Sequence, residues 1–384
     1  MRPPTFSVSA VAVAATWLVS SASHAQVARD LESPPAPVTA IAEPASKKKL
    51  PPAPGERVLA GGAAIFPGVL VHGTGSYVLG RPETGTPLLW MEVGGVGLTV
   101  GSLTALALTG AARGVAGVLV ASTVGGMGLF TISWLGDMYA VVAPDGGFGE
   151  AARIAPRWET ELGYRYVYDP RFDYRHFSVA RLSANVGRLR LSPSLWAAPA
   201  NHNSRFRMEG AVRGWGPIPG KASCDGSFAE LEGAVTEHRF PREHFYITTL
   251  EWQVRGRLDL HRVAPHLEGA FAEAGAGTAH QLTRFDIGGA DSTSATMLLA
   301  RFGFGFYVGD QTTGGGEWQL YYDHRHDDYA AGLLLPRGGG GPIGHIGLSG
   351  QHFLDANWGL GVEAQVGSAY VVGLSARFRN WGAD

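Results

Sequence analysis

Tyr370-Val371-Val372-Gly373-Leu374-Ser375-Ala376-Arg377-Phe378-Arg379 alternates with a period of two. Tyr370, Val372, Leu374, Ala376 and Phe378 point one way, while Gly373, Ser375, Arg377 and Arg379 point the other, because successive side chains of a strand lie on opposite faces. One face is apolar and the other polar and basic. A soluble sandwich buries such apolar faces in a shared core, whereas a membrane barrel turns them toward lipid and keeps the polar faces inside.

The same rhythm recurs from about Arg157 to the end. Trp158, Thr160, Leu162, Tyr164, Tyr166 and Tyr168 oppose Glu159, Glu161 and Arg165. Phe206, Met208 and Val212 oppose Arg205, Arg207, Glu209 and Arg213; Leu250, Trp252, Val254 and Leu258 oppose Glu251, Gln253, Arg255 and Arg257. Residues 229–235, 298–308 and 358–366 repeat the scheme, with Arg301 and Glu363 on polar faces. Weaker runs near Phe177, Leu189, Leu267, Trp318 and Ile346 bring the expected total to about twelve strands, an even number that suits a single-chain barrel.

The 384 residues carry a formal charge of −2, and 45% are hydrophobic against 17% charged. That balance points to neither nucleic-acid binding nor steering by net charge. The 55 glycines, with 10% aromatic residues, match the turns and interfacial girdles of barrels. The sole cysteine, Cys224, cannot form an intramolecular disulfide.

Ahead of the strands the texture changes three times. Arg2, the apolar stretch 8–19 and Ser23-His24-Ala25 read as a signal peptide over 1–25, cleaved after Ala25. A Pro/Ala-rich linker, 26–56, contains Lys47-Lys48-Lys49 and lacks apolar periodicity. A Gly-rich apolar region, 57–145, predicts three helices at 60–80, 87–109 and 115–142, the last two long enough to span a bilayer. Glu92 and Asp137 interrupt that apolarity, and His72 reads as a helix-packing residue.

Over residues 157–381 the chain resembles the Gram-negative outer-membrane β-barrel proteins. The resemblance implies an all-β antiparallel transmembrane barrel over 150–384, outer-membrane lipid as surroundings and the barrel assembly machinery as a partner. The final strand, with Phe378 on its lipid face, resembles the terminal strand presented to that machinery, although Asn380 to Asp384 continue beyond it.

The expected lumen charges are Glu159, Glu161, Arg165, Arg207, Glu209, Glu251, Arg255, Arg301, Glu363 and Arg377. Mixed signs in a narrow interior pair with one another, so the reading is a structural envelope component or a narrow channel for a small solute, with an ion-paired lumen. No cofactor or metal is expected. A second reading comes from Tyr322-Asp323-His324-Arg325-His326-Asp327, which resembles the Tyr-x-His-x-Ser-Asn strand motif of outer-membrane phospholipase A and the lipid A deacylases. His324 matches the histidine, His326 replaces the serine, and a lipid-modifying hydrolase is the alternative function.

Overall fold

A computed structural model describes residues 53–110, 112–169, 173–286, 292–324, 344–367 and 369–382. The expected signal peptide, most of the linker, His326 and the four consecutive glycines after Arg337 lie outside the described residues.

Twelve strands close on themselves. They are β2 (Trp158–Tyr168), β3 (His176–Val186), β4 (Leu189–Ala198), β5 (Asn203–Trp215), β6 (Phe228–Phe240), β7 (Phe245–Asp259), β8 (Ala270–Phe285), β9 (Thr293–Asp310), β10 (Gly315–Asp323), β11 (His345–Phe353), β12 (Trp358–Val366) and β13 (Tyr370–Asn380). Each pairs antiparallel with its successor, and β13 returns to β2 through an unbroken register from Tyr370↔Tyr168 to Asn380↔Trp158. A two-residue strand, β1 (Gly149–Glu150), adds in parallel to the end of β9.

The faces separate as the alternation requires. Val372 and Leu374 are each 58% exposed, whereas Ser375 and Arg379 are 7% and 4% exposed. Leu162, Met208, Leu231, Trp252, Leu348 and Leu360 join the outward apolar set. A closed sheet with an apolar exterior satisfies every ladder group internally and offers lipid only hydrocarbon and rings.

The helical region differs from expectation at its start. The stretch 60–80 is two helices rather than one, α1 (Pro54–Ile65) and α2 (Thr74–Val78), because Pro67 and Gly68 interrupt the pattern. Gly73, before α2, has φ 84°, and a Cβ there would sit 2.4 Å from the Gly85 carbonyl oxygen, so only glycine fits. α3 (Pro82–Leu108) and α4 (Arg113–Val142) form an antiparallel hairpin. Their lengths of 27 and 30 residues correspond to roughly 40–45 Å at helical rise, the thickness of a bilayer.

Helix α4 lies against the outside of β8 and β9. Val124 packs with Ala300 and Phe302, and Ile132, Tyr139 and Ala140 join Ala270 and Phe304 in one buried cluster. This covering explains the weakest strand of the sequence reading. The expected run near Leu267 is a 3₁₀ turn, Pro265–Leu267, and β8 starts three residues later with small outward residues, Ala270 and Ala272, that admit the helix. The small residues of β8 make room for the helix, while Phe302 and Phe304 of β9 fill the contact beneath it.

Polar groups within the helical region also find partners there. Asp137 accepts from the backbone N–H groups of Gly75 and Ser76 at 2.9 Å and from the Ser76 hydroxyl at 2.7 Å. Glu92 accepts from the His72 N–H at 2.8 Å, and His72 Nδ1 lies 2.6 Å from Ser133 Oγ. The two acids thereby hold the α1–α2 connection onto the hairpin, which offsets part of the cost of their burial.

A Cβ on Gly128 would sit 2.8 Å from the Phe302 ring, so Gly128→Leu forces α4 off the wall. The expected outcome is an intact barrel by heat-modifiable gel mobility, with loss of the disulfide cross-link otherwise formed between Val124→Cys and Ala300→Cys.

Candidate functional site: the barrel lumen

Inward residues alternate out of each strand and meet across a narrow interior. On the β12–β13–β2 side, Arg377 donates to Glu159 at 3.1 Å, to Glu161 at 3.0 Å and to Gln351 at 2.5 Å. Arg165 reaches Glu363 at 2.7 Å. On the opposite side, Arg207 pairs with Glu251 at 2.7 Å and Arg255 with Glu273 at 2.9 Å, while Arg301 approaches Glu273 at 3.7 Å. Glu209 lies 3.5 Å from Arg207 and 2.5 Å from Arg190. The ten residues named from sequence thus fall into two groups on facing walls, and Arg181, 3.7 Å from Glu209, stands between them.

Several connections skip strands. Arg190 of β4 donates to Glu230 of β6 at 2.8 Å, and Arg257 of β7 to Glu317 of β10 at 2.7 Å. These ties reach over the intervening strands and brace the inner face of the wall. Arg190, Arg257, Glu273 and Glu317 were not in the sequence-based set. Glu273 and Glu317 sit in weakly alternating runs, and only the inward phase of β8 and β10 could have singled them out.

Both ends of the lumen are narrowed. At the end away from the chain termini, Val167, Tyr174, Phe177, Val179, Phe240, Ile247 and Val371 form a buried apolar cluster reaching from β13 round to β7. Burial, reinforced by the Glu243 carboxylate that accepts its hydroxyl, pushes Tyr174 up to about 12, so it remains a neutral donor at physiological pH. At the opposite end, the segment joining β1 to β2 crosses beneath the opening. It is tied to β9 by β1, to the β5–β6 loop by the Ser223 N–H to the Arg153 carbonyl at 2.8 Å, and to β13 by the Arg157 N–H to the Asn380 carbonyl at 2.7 Å. Arg257 stacks 3.9 Å from the Phe271 ring above it, and Arg379 3.6 Å from Phe353. Between the two narrowings lies a polar cavity of about 390 Å³.

The histidine motif sits elsewhere. The Tyr322 hydroxyl and His324 Nδ1 are 2.8 Å apart, and Tyr322 packs on Phe302 beside Val124, so this outer wall faces helix α4, whereas a lipid-modifying site needs it open to lipid. Ser349 lines the lumen cavity, on the other side of the wall from Tyr322.

Asp225, Asp259 and His261 place ligand-type atoms within 4.8 Å of one another at the terminal end. Their oxygens already serve the loop. Asp225 accepts from Arg262 at 2.5 Å and from the Ser227 N–H at 3.0 Å, and Asp259 accepts from the Gly226 N–H and the Tyr307 hydroxyl. Burial works to raise the Asp225 carboxyl, but Arg262 and Ser227 outweigh it and hold the group below the usual carboxylate range.

No family model and no curated protein matches the chain. Among solved structures it is similar to the KdgM porin in complex with disordered oligogalacturonate, at 9% identity over 57% of this chain and 98% of that one, with a TM-score of 0.32. It is also similar to the Acinetobacter baumannii outer membrane protein Omp33, at 13% identity over 59% and 100%, TM-score 0.28. The β domain of the Bordetella autotransporter BrkA matches at 13% identity over 59% and 98%, TM-score 0.30. The class rests on the molecule itself: a closed antiparallel wall, apolar outside and charged inside, is a transmembrane β-barrel of the outer-membrane type.

Glu273, whose side chain is fully buried, serves Arg255, Arg257 and Arg301, so Glu273→Ala is expected to destabilise the barrel by about 3–5 kcal/mol. Glu237→Ala, at an exposed pair, costs under about 1 kcal/mol. Urea midpoints of the folded gel band compare the two. Because the Asp225 carboxyl is depressed, its contribution is full above its unfolded value near ~3.9 and is lost as pH falls through the lower folded value. Protease resistance of the loop 216–227 should therefore be level from neutral pH down to about 4 and decline only below that.

Proposed function

We propose that this protein is a narrow solute channel of the outer membrane whose resting lumen is constricted at both ends. The observation that carries the reading is the polar cavity of about 390 Å³, which lies between the apolar cluster around Phe240 and the crossing segment at the terminal end. Ion-paired side chains projecting from the wall keep it too narrow for a general diffusion pore, and an apolar constriction resists wetting. Helices α3 and α4, part of the region 57–145, accompany the barrel as a membrane-embedded buttress. The terminal strand β13, with Phe378 packed between Trp158 and Trp358, is the segment we assign to recognition by the assembly machinery.

The two covered ends favour a second reading, a structural envelope component with a filled lumen. Planar-bilayer recording separates the two. A channel gives small, infrequent steps in the wild type and steps several-fold larger in Phe177→Ala/Phe240→Ala, which empties the constriction while leaving the ion pairs in place. Silence from both proteins, with heat-modifiable mobility showing each to be folded, would establish the filled barrel and end the channel reading.

A further inference from the structure

Across the whole interior, acids and arginines are close to balance, but the cavity surface is not balanced. Among the described residues it is lined by eight arginines and six acids. Glu230, Glu251 and Glu273 are absent from that lining and hold arginines from behind it. The lining glutamates are also the more tightly occupied partners. Glu161, Glu209, Glu232, Glu317 and Glu363 each have an arginine within 3.3 Å.

The arginine side has capacity left. Arg181 lines the cavity with its side chain 42% exposed and reaches an acid only at 3.7 Å. Arg301 likewise meets Glu273 at 3.7 Å, and its Nε makes no hydrogen bond. Gln319 Nε2 and Arg377 Nε are unpartnered as well, packed into the wall against Gly303 and Gly361. Buried donors without acceptors are costly, so a lumen of this kind is complementary to an acceptor-rich guest.

The geometry points to a small anion as the solute class of this lumen, an inference that rests on the channel reading above. A positive surplus in a narrow, low-dielectric passage concentrates anions and repels cations. The loosely tied Arg181 and Arg301 supply the attraction.

The experiment is the zero-current potential across planar bilayers under a KCl gradient, recorded on wild-type steps or on those of Phe177→Ala/Phe240→Ala. The expected result is chloride permeability exceeding potassium permeability by about threefold, below the tenfold and more of a cleft of one sign because acids remain among and behind the arginines. Arg181→Gln should remove most of that preference without changing heat-modifiable mobility, since it breaks only one long ion pair. A potential of the opposite sign, or one at zero, would overturn the anion assignment while leaving the channel reading standing. An absence of steps in both proteins removes the channel and this assignment together. Unchanged selectivity in Arg181→Gln, Arg301→Gln and their combination would also overturn it.

Discussion

The seam between β13 and β2 is the constraint on which the rest of the molecule depends. In hydrocarbon no water is present to satisfy a sheet edge, so a spanning sheet must close. Eleven register pairs from Tyr370↔Tyr168 to Asn380↔Trp158 accomplish that, joining strands separated by most of the chain. Once the wall closes, the period-two alternation has only one arrangement compatible with lipid, and every charged row is forced inward.

Confinement then decides the chemistry of the interior. Charges of both signs taken out of bulk water carry a large desolvation cost, and pairing with good geometry is what offsets it. Glu273 shows the outcome, with its carboxylate shared among Arg255, Arg257 and Arg301 from two strands. The same sharing leaves some acids behind the lining and some arginines facing the cavity. A balanced interior thereby presents an unbalanced surface.

The exterior is not uniform. Over β8 and β9 the lipid is replaced by helix α4, and β8 turns small residues outward, Ala270 and Ala272, while β9 keeps Phe302 and Phe304 packed against the helix. Small residues at Gly95 and Gly126, where an added Cβ would lie 2.7 Å from the facing backbone, let α3 approach α4 closely. A segment whose composition alone could describe an inner-membrane hairpin is here part of the barrel's outer surface.

Periodicity by itself determined two-faced strands, their approximate number and which residues share the polar face, such as Glu161, Arg165, Glu363 and Arg377; the company of an export signal and apolar helices turned that pattern into a barrel with its apolar face outward. The strand faces follow from where a side chain points relative to its neighbours in the chain, which a period of two specifies locally. Periodicity could not pair Arg257 with Glu317 or place Glu273 at a three-arginine junction, because those partners sit on different strands and their distance depends on register and barrel stagger. Nor could it set helix α4 on β9, cover the Tyr322–His324 wall, or collect Val167, Phe177, Phe240 and Val371 at one end. Each of these is a contact between segments far apart in sequence, and only closure of the tube brings them together.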